Sequence, residues 1–295
     1  MRPARLALST PVRELAPGGP IWADPLSTLD EVVRAMARAG VHHASVGSGG
    51  VARAVISTRD VARAMLDRGE GWRRARAIDV ATAPPVALDA DAPASEAVRL
   101  MVSARVGSVL LAKEGRIVGM VTERDLVGLA VTAYLGGRVR DVMTVDPKVA
   151  RPGTSVVEAL RAMVSGGFRH LPTYAGNSIR VASMDDVVNA VVEGRVGLEG
   201  DLLDCARGDP PIVDPASPLE EAVRTMAYRR TDYLLALDAG RLVGILTERD
   251  LVRRALAPLV SIAPERPKPR SPEGAGPPTS HRRPVDEIRI AILTH

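Results

Sequence analysis

The chain has 295 residues, of which 46% are hydrophobic and 25% charged, a composition that is typical of folded globular proteins and excludes a disordered or collagen-like chain. The 39 Lys and Arg residues exceed the 35 Asp and Glu residues by four, but they are dispersed, and aromatic residues amount to only 2%, too few for a platform that stacks single-stranded nucleic acid. The single cysteine, Cys205, excludes an internal disulfide and a thiolate zinc cage.

The sequence predicts neither a membrane span nor a secretory signal. The longest apolar stretch, at 126–137, is shorter than the roughly 18 residues that a span needs, and the N-terminus has no sustained apolar core. We therefore expect a cytoplasmic protein that does not associate with membranes.

The chain contains internal repeats. Residues 12–36 align without a gap with residues 139–163, and residues 79–101 align in the same way with residues 204–226. A further repeat relates the two parts of each half, which gives four units. We place the four units at residues 8–70, 76–135, 137–196 and 200–257.

Each unit has the same predicted order of elements: strand, helix, strand, strand, helix. Helical spacing of apolar residues predicts the buried face of the first helix, at Ala97, Val98, Met101 and Val102 in the second unit and at Ala222, Val223, Met226 and Ala227 in the fourth. Paired strands follow at 108–112 with 117–121 and at 233–237 with 243–246. We expect the helix methionines Met36, Met101, Met163 and Met226 in the core, a hairpin turn within 46–51, and a solvated linker at 73–76.

A hydroxyl residue precedes an aspartate by three positions where the last strand of each unit meets the last helix. The pairs are Ser57/Asp60, Thr122/Asp125, Ser183/Asp186 and Thr247/Asp250. One interpretation is a capping box, which needs no ligand. The other is a ligand site, because a carboxylate beside an exposed hydroxyl at a helix N-terminus can accept hydrogen bonds from two adjacent ribose hydroxyls. Both interpretations stay open from the sequence.

These features together resemble the cystathionine-β-synthase (CBS) domain family. The resemblance rests on the four T/S-x-x-D motifs, on VRDVMTVDP at 139–147 and on FRHLPT at 168–173, and it covers about residues 8–257. It implies an α+β fold of four β-α-β-β-α CBS repeats, paired first with second and third with fourth into two Bateman modules. It also implies clefts for AMP, ADP or ATP, or for S-adenosylmethionine or a related nucleoside, as regulatory ligands, and pairing of modules into a homodimer.

The resemblance also implies roles for individual residues. The ribose would meet the aspartate of each T/S-x-x-D pair, and the base would lie against the strand that opens a unit, where Thr144, Val145 and Pro147 match the family pattern. The first unit departs from that pattern with Pro17, Gly18 and Pro20, and the fourth with Arg207, Gly208 and Asp209. The phosphate would meet Arg169 and His170, followed by Leu171 and Pro172, and also His42 and His43, with Arg124 and Arg249 contributing from the facing unit. Asp232, at the matching position of the fourth unit, would repel a polyphosphate.

The remaining sequence predicts an extended proline-rich linker at 258–284 and a strand-like segment at 285–295. The five histidines and one cysteine form no recognisable catalytic or metal-binding set, so we expect no enzyme, no metal and no catalytic cofactor. Two classes of function remain: a regulatory module that binds an adenosine compound and acts on an unknown protein partner, and a scaffold or nucleic-acid-binding protein in which T/S-x-x-D is only a helix cap.

Overall fold

A computed structural model describes residues 7–16, 18–132 and 135–260. Pro17, the predicted strand-like segment at 285–295 and the predicted linker from residue 261 onward lie outside the described residues. Residues 258–260, which we assigned to the linker, belong instead to a final helical turn, Ala257–Val260.

The predicted element order recurs along the chain. The first unit contains β1 (Trp22–Ala23), α1 (Leu29–Ala39), β2 (His43–Ser48), β3 (Val51–Ser57) and α2 (Thr58–Arg68), followed by a 3-10 turn (Gly69–Arg74) and α3 (Ala77–Val80). The second contains β4 (Ala87–Asp89), α4 (Ala94–Ser103), β5 (Ser108–Lys113), β6 (Arg116–Thr122) and α5 (Glu123–Thr132). The third contains α6 (Val139–Val142), β7 (Thr144–Val145), α7 (Val156–Gly166), β8 (His170–Ala175), β9 (Ser178–Ser183) and α8 (Met184–Val192). The fourth contains β10 (Ile212–Val213), α9 (Leu219–Arg229), β11 (Tyr233–Asp238), β12 (Arg241–Thr247) and α10 (Glu248–Asp250), a π-helical stretch (Leu251–Leu256) and α11 (Ala257–Val260). The α+β class is thereby confirmed.

The local predictions hold with one exception on the helix faces. The four helix methionines are buried, and Gly49 and Gly50 form the predicted hairpin turn with the positive φ angles that suit glycine. Ala227, which we place on the buried face of α9, is exposed, because it lies in the last turn of that helix, where the chain leaves the core. Short strands and helices of this kind become stable by packing on their copies.

The segment that opens a unit, ahead of its first helix, contacts the neighbouring unit, although the short strands β1, β4 and β10 pair with strands of their own units. β7 opens the third unit, yet it runs antiparallel to β12 of the fourth, with Thr144 opposite Ile245. Isolated bridges repeat this arrangement between Val55 and Thr82 and between Val181 and Arg207. As a result, the segment that opens one unit lies beside the last strand of another, directly before that strand's T/S-x-x-D motif.

The four units pack through two kinds of interface. One apolar cluster joins the sheets of the first and second units, through residues such as Ala52 and Leu110, and another joins those of the third and fourth, through Val181 and Leu235. Helices of the first and third units share one large core, and helices of the second and fourth share the other. These contacts join helices within one chain, whereas we had predicted helix pairing between two chains; the homodimer stays a prediction.

The segment at 73–76 is not simply a solvated linker. The guanidinium of Arg73 stacks on the buried Trp72 ring, pairs with Asp30 and donates a 2.7 Å hydrogen bond to the carbonyl oxygen of Val191 at the end of α8. Arg73 therefore connects the first unit to the third, which the linker prediction missed, while Arg74 is exposed.

Candidate functional site

Four cavities lie between the units, and each is lined by one of the four T/S-x-x-D pairs. We name them after the hydroxyl residue. The Ser57 cavity has a volume of about 300 Å³, the Thr122 cavity about 350 Å³, the Ser183 cavity about 410 Å³ and the Thr247 cavity about 290 Å³. The repeated motif therefore marks a repeated concave site.

In each pair, one carboxylate oxygen is used in capping the helix. Oδ2 of Asp60 accepts hydrogen bonds from the Ser57 amide at 2.9 Å and the Ser57 hydroxyl at 2.6 Å. Oδ2 of Asp250 accepts the same two bonds from Thr247 at 3.0 and 2.6 Å. The capping interpretation of these pairs is confirmed.

The second oxygen of each carboxylate, Oδ1, is left for other donors. Thr144 donates to Oδ1 of Asp250 at 3.0 Å, and Thr82 donates to Oδ1 of Asp60 at 3.3 Å. Oδ1 of Asp186 accepts from Nε of Arg207 at 2.7 Å. Each of these donors belongs to the opening segment of the neighbouring unit. Capping and ligand binding therefore do not compete, since they use different oxygens of one carboxylate.

Asp125 differs from the other three aspartates. Its Oδ2 accepts the two capping bonds from Thr122, at 2.8 and 2.7 Å, but no hydrogen bond to its Oδ1 is found among the described residues. Burial raises the pKa of Asp125 against the opposing effect of the Thr122 hydrogen bonds. The second oxygen of this half-buried aspartate has no donor in the described part of the chain, which favours a ligand that supplies hydroxyl groups.

The opening segments line the cavities of their neighbours. Thr144 and Pro147 line the Thr247 cavity, whereas Gly18 and Pro20 line the Thr122 cavity. Arg207, Gly208 and Asp209 line the Ser183 cavity. Val145 is exposed and lines none of the four, because its side chain lies on the outer face of β7. Leu171 and Pro172 are buried in β8 and also line none of them.

The residues that we predicted to meet phosphate gather where the four units meet. Nδ1 of His42 lies 2.8 Å from Asp185, and Nε2 of His170 lies 2.9 Å from Asp232. Although burial acts in the opposite direction, His42 holds the pKa of Asp185 at about 2, and His170 likewise lowers the pKa of Asp232. Asp232 thus has a hydrogen-bonding partner in His170, a pairing that sequence analysis missed.

Four charged residues of the two T-E-R-D motifs exchange ion pairs across the interface of the second and fourth units. Nε of Arg249 donates to Oε1 of Glu123 at 3.0 Å, and Nε of Arg124 donates to Oε1 of Glu248 at 3.1 Å. Arg169 of the third unit also pairs with Glu123. Burial would raise the pKa of Glu123, but the two arginines lower it. Arg124, Arg169 and Arg249 therefore already have protein counter-ions.

His43 lies in the same central cluster but carries no charge at neutral pH. Burial, together with the positive charge of Arg169, lowers the pKa of His43 to about 3. Within the described residues, no group of three or more His, Cys, Asp or Glu side chains could hold a metal ion. In that same part of the chain, no helix is long and apolar enough to cross a membrane.

A comparison with protein families decides the family. The family model of the CBS domain matches residues 77–131, 139–193 and 200–257, which together are more than half of the chain. The chain belongs to the CBS-domain family. The model matches the second, third and fourth units of this CBS-domain protein and leaves the first unit outside the matched residues.

Curated relatives of the CBS-domain protein include two from archaea. An uncharacterized 17.7 kDa protein of Acidianus ambivalens is 34% identical over 102 residues, covering 34% of this chain and 62% of the relative. An uncharacterized 33.4 kDa protein from the ribosomal RNA operon of Thermofilum pendens is 28% identical over 174 residues, covering 54% of this chain and 57% of the relative. The chain thus spans less than two thirds of the length of these relatives.

Solved structures support the fold. A protein of Methanocaldococcus jannaschii, described as a candidate archaeal homologue of the gamma subunit of AMP-activated protein kinase, superposes with a TM-score of 0.74 at 17% identity, over 83% of this chain and 99% of that one. A conserved protein of Pyrococcus horikoshii superposes with a TM-score of 0.56 at 15% identity, over 82% of this chain and 98% of that one. At these identities the likeness concerns the fold alone.

Proposed function

We propose that this CBS-domain protein is a regulatory sensor that binds AMP, ADP or ATP in the cavities between its units. In this proposal the first unit is also a CBS repeat, which brings the number of repeats to four. The two pairs of units that pack through their sheets are two Bateman modules. The chain acts by binding a ligand and not by catalysis. Binding would shift the arrangement of the two modules and so alter a protein partner or a second copy of the chain.

One observation carries the proposal: each of the four cavities contains a helix-capping aspartate whose second carboxylate oxygen either accepts a bond from a neighbouring unit or, in Asp125, has no donor among the described residues. Asp60 and Asp250 use this oxygen to accept bonds from threonines of a neighbouring unit, and Asp125 has it free among the described residues. Two adjacent ribose hydroxyls supply such donors. The fold shared with the candidate kinase gamma-subunit homologue of M. jannaschii supports the same function.

The Ser183 cavity favours a second ligand class, S-adenosylmethionine or a related nucleoside. Four aspartates line this cavity, and they balance its four arginines. Three of them, Asp185, Asp209 and Asp232, do not belong to the capping pair Ser183/Asp186. A ligand with a positive sulfonium and amino group would be tolerated there, whereas the charge of a polyphosphate would be repelled.

Calorimetric titration of the whole chain with AMP, ADP, ATP and S-adenosylmethionine tests the proposal. In Asp125→Asn, the side-chain oxygen can still accept the capping bond of Thr122, while an amide group that only donates takes the place of Oδ1. We expect this variant to weaken binding at the Thr122 cavity by roughly tenfold or more, since a hydrogen bond to a charged group is lost.

Glu158→Gln is the matched control. Glu158 forms a capping box with Ser155 at the start of α7, and neither residue lines any of the four cavities. We expect Glu158→Gln to leave every ligand affinity unchanged. Equal affinities in wild type, Asp125→Asn and Glu158→Gln, or no binding of any adenosine compound, would reduce the T/S-x-x-D motifs to helix caps. Affinity for DNA that falls steeply with salt would then favour nucleic-acid binding.

A further inference from the structure

Arg59 is the third residue of the first-unit T/S-x-x-D motif, as Arg124 and Arg249 are in theirs. Unlike those two arginines, it has no glutamate as a counter-ion among the described residues. Its Nη2 atom is shielded from solvent and has no hydrogen-bond partner among the described residues. Buried guanidinium groups are normally paired, because an uncompensated buried charge is costly. The absence of a partner therefore needs an explanation.

The reason lies in the facing motif. Between the second and fourth units, Arg124 and Arg249 each meet the glutamate of the opposite T-E-R-D motif. Between the first and third units, the residue at the glutamate position of the third-unit motif is Met184, a fully buried core side chain. The third-unit motif thus has a methionine at the position where the facing motifs of the equivalent arginines have a carboxylate.

Other positive charges surround Arg59. Its Nη1 atom lies 3.9 Å from the position that a Cβ atom on Gly167 would occupy, and the carbonyl of Gly167 already accepts a 2.8 Å bond from Arg249. Burial, together with the nearby positive charges of Arg249, Arg169 and Arg63, lowers the pKa of Arg59 to about 10. The side chain is held in a region of excess positive charge.

The Ser57 cavity has the largest excess of positive charge among the four cavities. It is lined by five arginines and one carboxylate: Arg59, Arg63, Arg105, Arg169 and Arg249 against Asp60. The Thr247 cavity has five basic side chains against three carboxylates, the Ser183 cavity four against four, and the Thr122 cavity two against three. Glu123 does not line the Ser57 cavity but pairs with two of its arginines, Arg169 and Arg249. When Glu123 is included in the count, the cavity still has an excess of three positive charges.

We propose that the Ser57 cavity is the nucleoside polyphosphate site of this protein, and that Arg59 is a specificity-determining residue whose missing counter-ion is supplied by the phosphates of the ligand. The proposal rests on the proposed function for the identity of the nucleoside, but the anion site itself is independent of it. An excess of three positive charges suits a diphosphate or triphosphate, and charge-assisted bonds from guanidinium groups suit phosphate oxygens.

The test isolates the Ser57 cavity. In the full-length variant Asp125→Asn/Asp186→Asn/Asp250→Asn, only this cavity keeps its ribose-facing carboxylate. In calorimetric titrations, we expect this variant to bind ADP at least tenfold more tightly than adenosine. Adding Arg59→Met should reduce the ratio of ADP to adenosine affinity at least tenfold while the adenosine affinity is unchanged, and Arg59→Lys should restore part of the ratio. Arg74→Met, at an exposed arginine that lines none of the four cavities, is the matched control and should leave the ratio unchanged.

A second measurement separates this inference from the proposed function. Inorganic triphosphate should raise the unfolding midpoint of the wild-type chain, and Arg59→Met should abolish that rise. Without any ligand, Arg59→Met should itself raise the midpoint, since an unpaired charge is removed. If no adenosine compound binds but triphosphate stabilises the chain through Arg59, the anion site stands and the nucleotide function fails. If Arg59→Met changes neither the affinity for ADP nor the stabilisation by triphosphate, the inference is wrong.

Discussion

Glu123 of the second unit and Arg249 of the fourth are joined by a 3.0 Å hydrogen bond, with the carboxylate of Glu123 almost completely buried. The reverse pair, Arg124 with Glu248, lies beside it at 3.1 Å. The two T-E-R-D motifs therefore recognise each other across the interface and also line the cavities of both units. A ligand at either motif lies next to the contact that holds the second and fourth units together.

Removing the buried carboxylate should destabilise the chain strongly. Glu123→Gln leaves Arg169 and Arg249 without their shared counter-ion, and breaking a buried ion pair from one side costs about 3–5 kcal/mol. We expect urea denaturation to show a loss of that size in the free energy of unfolding.

The matched control is Glu193→Gln, which removes the carboxylate of an exposed pair with Arg195 at 2.7 Å. Exposed pairs contribute about 0–1 kcal/mol, so this variant should unfold nearly as wild type does. Equal losses in the two variants would contradict the role of Glu123 at the interface.

His43 should make stability depend on pH in the mildly acidic range. Its pKa is lowered from 6.5 to about 3 in the folded chain, so the unfolded chain binds more protons between these values. The free energy of unfolding should therefore be highest above pH 6.5 and fall as the pH drops toward 3, by up to about 1.4 kcal/mol per pH unit.

His43→Asn removes the titrating ring and should flatten this slope in urea denaturation between pH 7 and pH 4.5. Asp185, whose pKa is lowered from 3.8 to about 2, contributes stability above pH 4 that is lost as the pH falls through about 2, so it does not act within the measured range. Identical pH profiles for wild type and His43→Asn would show that the ring is not kept neutral by burial.

Arg73 should stabilise the interface between the first and third units. Arg73→Met removes its hydrogen bonds to the carbonyl oxygens of Val191 and Val192 in α8 and its pair with Asp30. We expect a loss of roughly 1–3 kcal/mol in the free energy of unfolding. Arg74→Met, on the exposed neighbour, should change it by less than about 0.5 kcal/mol. A loss at Arg74 as large as that at Arg73 would contradict this assignment.

The fold was predictable where the information is local. Alternation and helical spacing placed β5, β6, β11 and β12 and their helices, and the three-residue spacing of Ser57 and Asp60 predicted the cap. The arrangement between units was not predictable from one sequence, because it depends on which segments meet in space. Nothing local in T-E-R-D indicates that Glu123 pairs with Arg249, or that Thr144 donates to Asp250 in another unit.

For the same reason, the missing counter-ion of Arg59 was not predictable from the sequence. In the sequence Arg59 looks equivalent to Arg124, and only the structure shows that Arg124 pairs with Glu248 whereas Nη2 of Arg59 has no partner among the described residues. The difference in pairing between two identical side chains thus depends on residues of another unit, more than a hundred positions away along the chain.

Thermal unfolding of the full chain with and without AMP, ADP, ATP and S-adenosylmethionine tests the central claim most directly. A ligand at 100 times its dissociation constant should add about 2.7 kcal/mol to the stability of the folded chain. We predict a raised midpoint with adenine nucleotides that is lost when Asp60, Asp125, Asp186 and Asp250 are all replaced by Asn. An unchanged midpoint with every one of these compounds, or an equal rise in the fourfold variant, would contradict ligand binding at the T/S-x-x-D motifs.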